Sequence, residues 1–383
     1  MPKVYLKDVV TRIKDKVDKD NTDLEFYIGG EHFDNGEIQI TRRGVIAGST
    51  IGPAFHMRFV PGDVLLMSRN PHLRKAGVVD FEGICSDVSY VCRTKDENIL
   101  MQKFLPFIFQ SDDFWKFAEE NKKGSTNFFL NWSDFEKYEF TLPDIETQRK
   151  LVEMLWAFED TKTAYKKLIE KTDELVKSQF IEMFGDPSAN PMGWKKQSLE
   201  SLSIKITDGV HKKPNYTNDG KPFISVTNIN RGVIDFTDCK YVSEEDYQKM
   251  IKTTFPEKGD VLYTKVGATY GIPAYIDTAE PFGLYVSVCL IKPKHELIDA
   301  RFLTESMRMD YVKKQADDRI KGIGVPDLHL KEIKEFWILC PPRQMQEQFV
   351  ELVQQSDKSK FELKQAIADV DSLARALLQQ ELK

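Results

Sequence analysis

Over most of the chain, apolar and polar positions alternate in short runs; twice they give way to a long stretch with helical spacing. Residues 78–81, 88–92, 223–226 and 284–291 are β-rich, and turn signals such as Asp34-Asn35-Gly36 and Asn218-Asp219-Gly220 punctuate such runs. A helix-like segment follows in each half, at 104–121 and 300–317. This mixture predicts an α+β fold. Residues 146–184 and 343–383 contain neither proline nor glycine. Each predicts one helix of roughly 55–60 Å at about 1.5 Å per residue, too long to fold into a compact domain. The second carries a heptad seam of Phe349, Val353, Ser356, Lys360, Leu363, Ile367, Val370, Ala374 and Leu377. The first is less regular, with Leu151, Leu155, Phe158, Lys162, Tyr165, Ile169, Thr172 and Val176. One stripe on each helix predicts that the two pack on one another, because a helix lying alone across its domain would leave its stripe exposed.

The same order of elements occurs twice, at a period of about 196–198 residues, far longer than a solenoid unit. Tyr27-Ile28-Gly29-Gly30 resembles Phe223-Ile224-Ser225-Val226, and Val60-Pro61-Gly62-Asp63-Val64-Leu65 aligns with Glu257-Lys258-Gly259-Asp260-Val261-Leu262. Leu142-Pro143-Asp144-Ile145-Glu146-Thr147-Gln148 aligns with Cys340-Pro341-Pro342-Arg343-Gln344-Met345-Gln346. The expected organisation is a globular domain over 1–142, a long helix over 143–185, a linker over 186–194, a second domain over 195–340 and a second long helix over 341–383. The two α+β domains thus stand in tandem repeat, separated by two long antiparallel coiled-coil helices.

At 383 residues the chain can bury two cores. Nothing approaches the apolar run of a membrane span, and Met1-Pro2-Lys3-Val4 does not start like a signal peptide. Five scattered cysteines, never spaced as CxxC, predict free thiols, Cys85, Cys92, Cys289 and Cys340 in apolar surroundings, and a reducing cytoplasm. The formal charge is −6 and no segment is strongly basic. A nucleic-acid partner would therefore have to be met by local basic patches.

Three motifs in order on this repeat resemble the specificity subunits of type I restriction-modification systems over the whole chain. Met183-Phe184-Gly185-Asp186-Pro187 with Asn190-Pro191-Met192-Gly193-Trp194 matches an FGDP…NPxGW junction, physically a helix stop. Asp208-Gly209-Val210-His211-Lys212-Lys213-Pro214-Asn215-Tyr216 resembles a DGxHxxPxY pattern. Pro143…Gln148 and Pro341…Gln346 are the third. The first domain lacks the Asp208–Tyr216 motif, so the two domains are expected to read different bases. The resemblance implies double-stranded DNA with a bipartite target, each domain reading one half and the helices setting the spacer. It implies as partners two copies of an adenine methyltransferase subunit and a motor-nuclease subunit. S-adenosylmethionine, ATP and magnesium would belong to those partners, with no cofactor or metal in this chain.

Base reading calls for Arg or Lys toward guanine and Asn or Gln toward adenine, with phosphate contacts fixing register. Candidates in the first domain are Arg69, Asn70, His72, Arg74 and Lys75, with Arg42 and Arg43 as phosphate clamps. In the second they are His211, Lys212, Lys213, Asn215, Tyr216, Asn228, Asn230, Arg231, Lys265 and Tyr270. Any one of these could equally be an ordinary loop residue. Trp115, Trp132, Trp156, Trp194 and Trp337 read as structural. Asn70-Pro71-His72-Leu73 lacks the second proline and aromatic of an adenine methyltransferase site, Pro326-Asp327…Glu332-Ile333-Lys334 is too compact for a nuclease triad, and no phosphate-cradling Gly-x-x-x-x-Gly-Lys-Ser/Thr occurs. The chain is expected to be catalytically silent. The alternatives are the recognition subunit of a type IIB-like fused system and a coiled-coil adaptor that binds only proteins.

Overall fold

The computed structural model describes residues 2–230, 232–321 and 324–382. The chain forms two compact units, one of residues 1–168 with 362–383 and the other of residues 169–361.

In the first unit, Val10–Ile13, Ser89–Thr94, Val64–Met67 and Ala76–Val78 form a four-stranded antiparallel sheet in that order. A second sheet runs Gly44–Val45, Phe26–Ile28, Gly83–Ser86, Phe55–Phe59, its central pair parallel with Tyr27 opposite Ile84. The second unit repeats the first sheet with Ser203–Asp208, Val288–Pro293, Val261–Thr264 and Pro273–Tyr275. Its other sheet runs Tyr216–Thr217, Lys240–Val242, Lys221–Ile224, Gly283–Leu284, again with a parallel pair, Phe223 opposite Gly283. The two units differ at the margins of this sheet. Among the described residues only the first carries a strand like Phe55–Phe59 outside the parallel pair, and the second adds Tyr216–Thr217 at its opposite edge.

The aligned Gly-Asp turns are the same device. The Asp63 carboxylate accepts the Val60 amide at 2.8 Å and pairs with Arg93; Asp260 accepts the Glu257 amide at 2.9 Å and pairs with Lys292 at 2.6 Å. Each expected helix at 104–121 and 300–317 is in fact two. Leu105–Gln110 and Asp112–Glu120 break at Ser111, which is extended and accepts the Phe114 amide through its hydroxyl. Ala300–Arg308 and Asp310–Asp317 break at Met309, which is extended too. The 284–291 run is likewise split, by the loop between Leu284 and Val288. Periodicity survives such a one-residue break, so the sequence did not reveal it.

Two long helices run from Ile145 to Phe184 and from Arg343 to Glu381. In the first unit, Leu151, Val152 and Leu155 join a core with Leu378 and Leu382. In the second unit, Val176, Phe180 and Phe184 meet Phe349, Val350 and Val353, Phe180 edge-on to Phe349 with centroids 5.4 Å apart. In both, higher numbers on one helix meet lower numbers on the other, so the pairing is antiparallel. Of the expected seam, Leu151, Leu155, Val176, Phe349 and Val353 are buried, whereas Phe158, Tyr165, Ile169, Leu363, Ile367, Val370 and Leu377 are partly exposed.

The seam's two lysines are ionic nodes. Lys162 Nζ lies 2.9 Å from Glu159 on its own helix and 2.7 Å from Asp371 on the other. Lys360 Nζ in the second unit lies 2.9 Å from Asp357 and 2.9 Å from Asp173. Each member of one triad has its counterpart about 198 residues away, so the repeat includes these charges as well as the apolar positions.

The Pro-x-x-x-x-Gln element joins helix to domain. Gln148 is wholly buried, donating to the carbonyls of Pro143 and Ile99 (both 2.8 Å) and accepting the Met101 amide at 3.0 Å. Gln346 does the same, donating to the Pro341 carbonyl at 2.9 Å and accepting the Asp299 amide at 2.9 Å. At the junction, Gly185 adopts φ 74° and ends the first long helix, as expected. Asn190 then brackets Trp194 with two 2.9 Å bonds, and the Trp194 indole donates to the Phe184 carbonyl at 3.0 Å. Cys85, Cys92, Cys239 and Cys289 are buried free thiols and Cys340 is partly buried. Burial pushes the Cys85 thiol up to about 12, which makes it inert.

Candidate nucleic-acid interface

In the first unit, the candidate segment leaves the strand Val64–Met67 and turns sharply. Asn70 (φ 52°) and Arg74 (φ 48°) hold left-handed conformations on either side of the short helix Pro71–Leu73. Two non-glycine residues in that region within five positions is a costly arrangement of the kind that collects at functional sites. The Asn70 amide donates to the Phe128 carbonyl at 2.9 Å and Arg69 bridges Phe129, so this loop lies beside the 121–130 loop. Arg69 and His72 are exposed. Arg74 is paired with Asp112 at 2.6 Å, and Lys75 donates to the Gly30 carbonyl at 2.7 Å. Arg42 is paired with Asp34 at 2.7 Å, and Arg43 stacks on Phe26 with its guanidinium 3.8 Å from the ring centroid. Exposed ion pairs contribute about 0–1 kcal/mol, so a phosphate could take over Arg42 or Arg74 at little cost.

In the second unit, His211, Lys212, Lys213, Asn215 and Tyr216 form an exposed loop. Tyr216 presents its ring between Lys240 (4.3 Å to the centroid) and Lys213 (5.5 Å), an aromatic surface with two cations. His211 Nε2 lies 3.3 Å from Asp208. Gly209 is required by close approach, since a Cβ there would run into the Leu284 carbonyl. Tyr270 donates to Asp317 at 2.7 Å and is covered by Lys313 at 3.8 Å. Two candidates are internal. Asn228 is buried and accepts the Ser225 amide at 3.0 Å, capping a turn, while Lys265 is buried between Asp208 and Asp327. Arg231 lies outside the described residues, and of Asn230 only the backbone, in the strand Ile229–Asn230, is described.

Sequence reading missed the neighbouring hairpins. Lys123 bridges Phe129 in the first unit, and Lys321 bridges Asp327 in the second. These bridges bring Lys123 beside Phe129, which also bridges Arg69, and Lys321 beside Asp327, which also bridges Val266. The only signal was a short polar, glycine-bearing run, Lys122-Lys123-Gly124-Ser125-Thr126-Asn127, which is common in unremarkable loops. Among the described residues, no three His, Cys, Asp or Glu side chains gather as a metal site would need, and no helix is long and apolar enough to cross a membrane.

Each unit thus offers amide, cationic and aromatic groups on adjoining loops. The family model of the type I restriction modification DNA specificity domain matches twice, over residues 3–174 and 191–370. The chain belongs to this family. As a type I DNA specificity protein it is a DNA-recognition subunit, not an enzyme. It is similar to the type I restriction enzyme MjaIX specificity subunit of Methanocaldococcus jannaschii, with 24% identity over 356 residues, covering 84% of this chain and 76% of that one. It is also similar to the EcoKI specificity subunit of Escherichia coli K12, with 25% identity over 205 residues, covering 48% of this chain and 41% of that one. The specificity fold recurs in a solved chain from work on complex assembly and conformational transition of the type I R-M system. That chain is 19% identical, with a TM-score of 0.53, and the match covers 99% of this chain and 97% of that one.

Proposed function

We propose that each unit reads one half of a bipartite double-stranded DNA target, and that the long helices dock two copies of an adenine methyltransferase subunit, with a motor-nuclease subunit joining for cleavage. The observation that carries this reading is the recurrence of one loop arrangement on a shared sheet frame, 68–75 beside 128–130 and 265–271 beside 326–328, with different side chains in the two copies. The common frame accounts for a common task, and the differing loops account for two different half-sites. In the first unit the readers are Arg69, Asn70 and His72, with Arg42, Arg43, Arg74 and Lys75 on phosphates. In the second they are His211, Lys212, Lys213, Asn215, Tyr216 and Tyr270, with Asn230 and Arg231 as further candidates. S-adenosylmethionine, ATP and magnesium belong to the partners, and the complex works in the cytoplasm.

The test is methylation-resolving sequencing of cells expressing this chain with its methyltransferase partner. Adenine methylation at one split motif, lost when this chain is deleted, is the expected result. Methylation that persists unchanged without it would refute the reading and leave a protein-only adaptor. Arg69→Ala should relax one half-site alone, by about 1–3 kcal/mol of discrimination.

A further inference from the structure

Lys265, one of the candidate readers, is buried against two carboxylates. Its side chain is 7% exposed, its ammonium 3.4 Å from Asp208 and 3.7 Å from Asp327. Asp208 is itself nearly buried and opens the His211 loop, its carbonyl accepting from Thr254 at 2.6 Å. Asp327 bridges Lys321, and its Oδ1 is buried with no hydrogen-bond partner among the described residues, so the ammonium is the charge that faces it. Lys265 begins the third loop, 265–271. One buried cation therefore touches the loops on both sides of its own.

The first unit supplies the control. There Ser68 stands in the place of Lys265 and Phe129 in that of Asp327. The Leu130 amide donates to the Ser68 carbonyl at 2.9 Å as the Leu328 amide does to that of Lys265 at 2.9 Å, and Ser68 and Lys265 donate to Val88 and Ser287 at 2.8 and 3.0 Å. The backbone frame closes identically without any ion. The ionic node is thus an addition in the second unit, not a requirement of the fold. Burying the Lys265 ammonium with the Asp208 carboxylate, while Asp327 stays 43% exposed, is expensive, and such groups are retained where they fix one arrangement against others.

We infer that Lys265 is a positioning residue, a buried strut that fixes the 208–216 loop and the segment around Asp327 to the 265–271 loop, and that it does not contact bases. This rests on the proposed reading of DNA by the second unit. Without the cation, Asp208 and Asp327 repel each other, and the loops carrying His211 and Lys321 separate.

The test uses the full chain with its methyltransferase partner and reads methylation by sequencing across the genome. Lys265→Met should lower methylation at sites with the correct second half-site by at least about tenfold while the first half-site stays strictly read. The triple variant Lys265→Met, Asp208→Asn, Asp327→Asn removes all three charges and should restore methylation to within about threefold of the parent. Lys265→Arg, which can still face both carboxylates, should keep the same motif. A triple variant as defective as Lys265→Met, a Lys265→Met variant with no effect, or a Lys265→Arg variant that changes one base of the motif would each overturn the strut. If the parent chain yields no split motif at all, the functional proposal fails instead, so the two failures are distinct.

Discussion

Lys162→Met tests whether the buried charges in the helix pair hold it together. The lysine side chain is 7% exposed and Glu159 8%, so the pair is effectively dry; Asp371 is 38% exposed and keeps much of its hydration. Breaking a buried pair by removing one partner costs roughly 3–5 kcal/mol, because the other charge is left uncompensated. Asp371 can turn to water, and the Glu159 carboxyl, pushed up by burial, can take a proton, so about 3 kcal/mol is the expected loss at neutral pH. An acid whose pKa is higher in the fold than in the unfolded chain binds more protons when native, so stability rises as pH falls through the raised value. The variant should therefore recover part of its loss between neutral and mildly acidic pH. Adding Glu159→Gln should recover most of it at any pH. The assay is urea denaturation followed at equilibrium, with the first unit's transition shifted and the second's unchanged. A loss below about 1 kcal/mol, or a double variant no better than the single, would refute the reasoning.

Gln148→Leu strands one buried amide and two carbonyls, at about 1–3 kcal/mol for each group left unpaired, so the first unit should lose about 3 kcal/mol or more in the same denaturation experiment. Gly209→Ala forces the Leu284 carbonyl aside, and hydrogen exchange of the Val210 amide, which donates to that carbonyl at 2.9 Å, should speed up at least about tenfold while amides in Val288–Pro293 stay protected. The Lys123 ammonium beside Asp134 holds that carboxyl below its ordinary value, so its contribution is present above the unfolded pKa and lost as pH falls through the depressed one. Asp134→Asn should accordingly flatten the acid limb of the stability profile below about pH 4, and an unchanged limb would exclude the pair.

Where a pattern repeats or a residue type has one physical use, the sequence was readable. The Gly-Asp turns, the two long helices, the glycine stop at Gly185 and the proline–glutamine element all lie where spacing put them. The breaks at Ser111 and Met309 were hidden because apolar spacing continues across one extended residue. Site reading was weaker for a specific reason: a lysine in a loop has the same sequence signature whether it faces solvent or two carboxylates. Lys265 and Asn228 carry the chemistry expected of readers, yet their partners, Asp327 and Ser225, come from elsewhere in the fold or from a local turn. The bridges Lys123 to Phe129 and Lys321 to Asp327 escaped notice because adjacency across a bridge leaves no mark in composition.

The glutamine joints at Gln148 and Gln346 bond only to main-chain atoms, the carbonyls of Pro143, Ile99 and Pro341 and the amides of Met101 and Asp299. Such a joint is indifferent to which side chains its neighbours carry. Substitutions in the surrounding segments leave its bonds in place so long as the backbone path is kept. The attachment of helix to domain is thereby insulated from drift in the very modules whose surfaces must change if the protein is to acquire a new target.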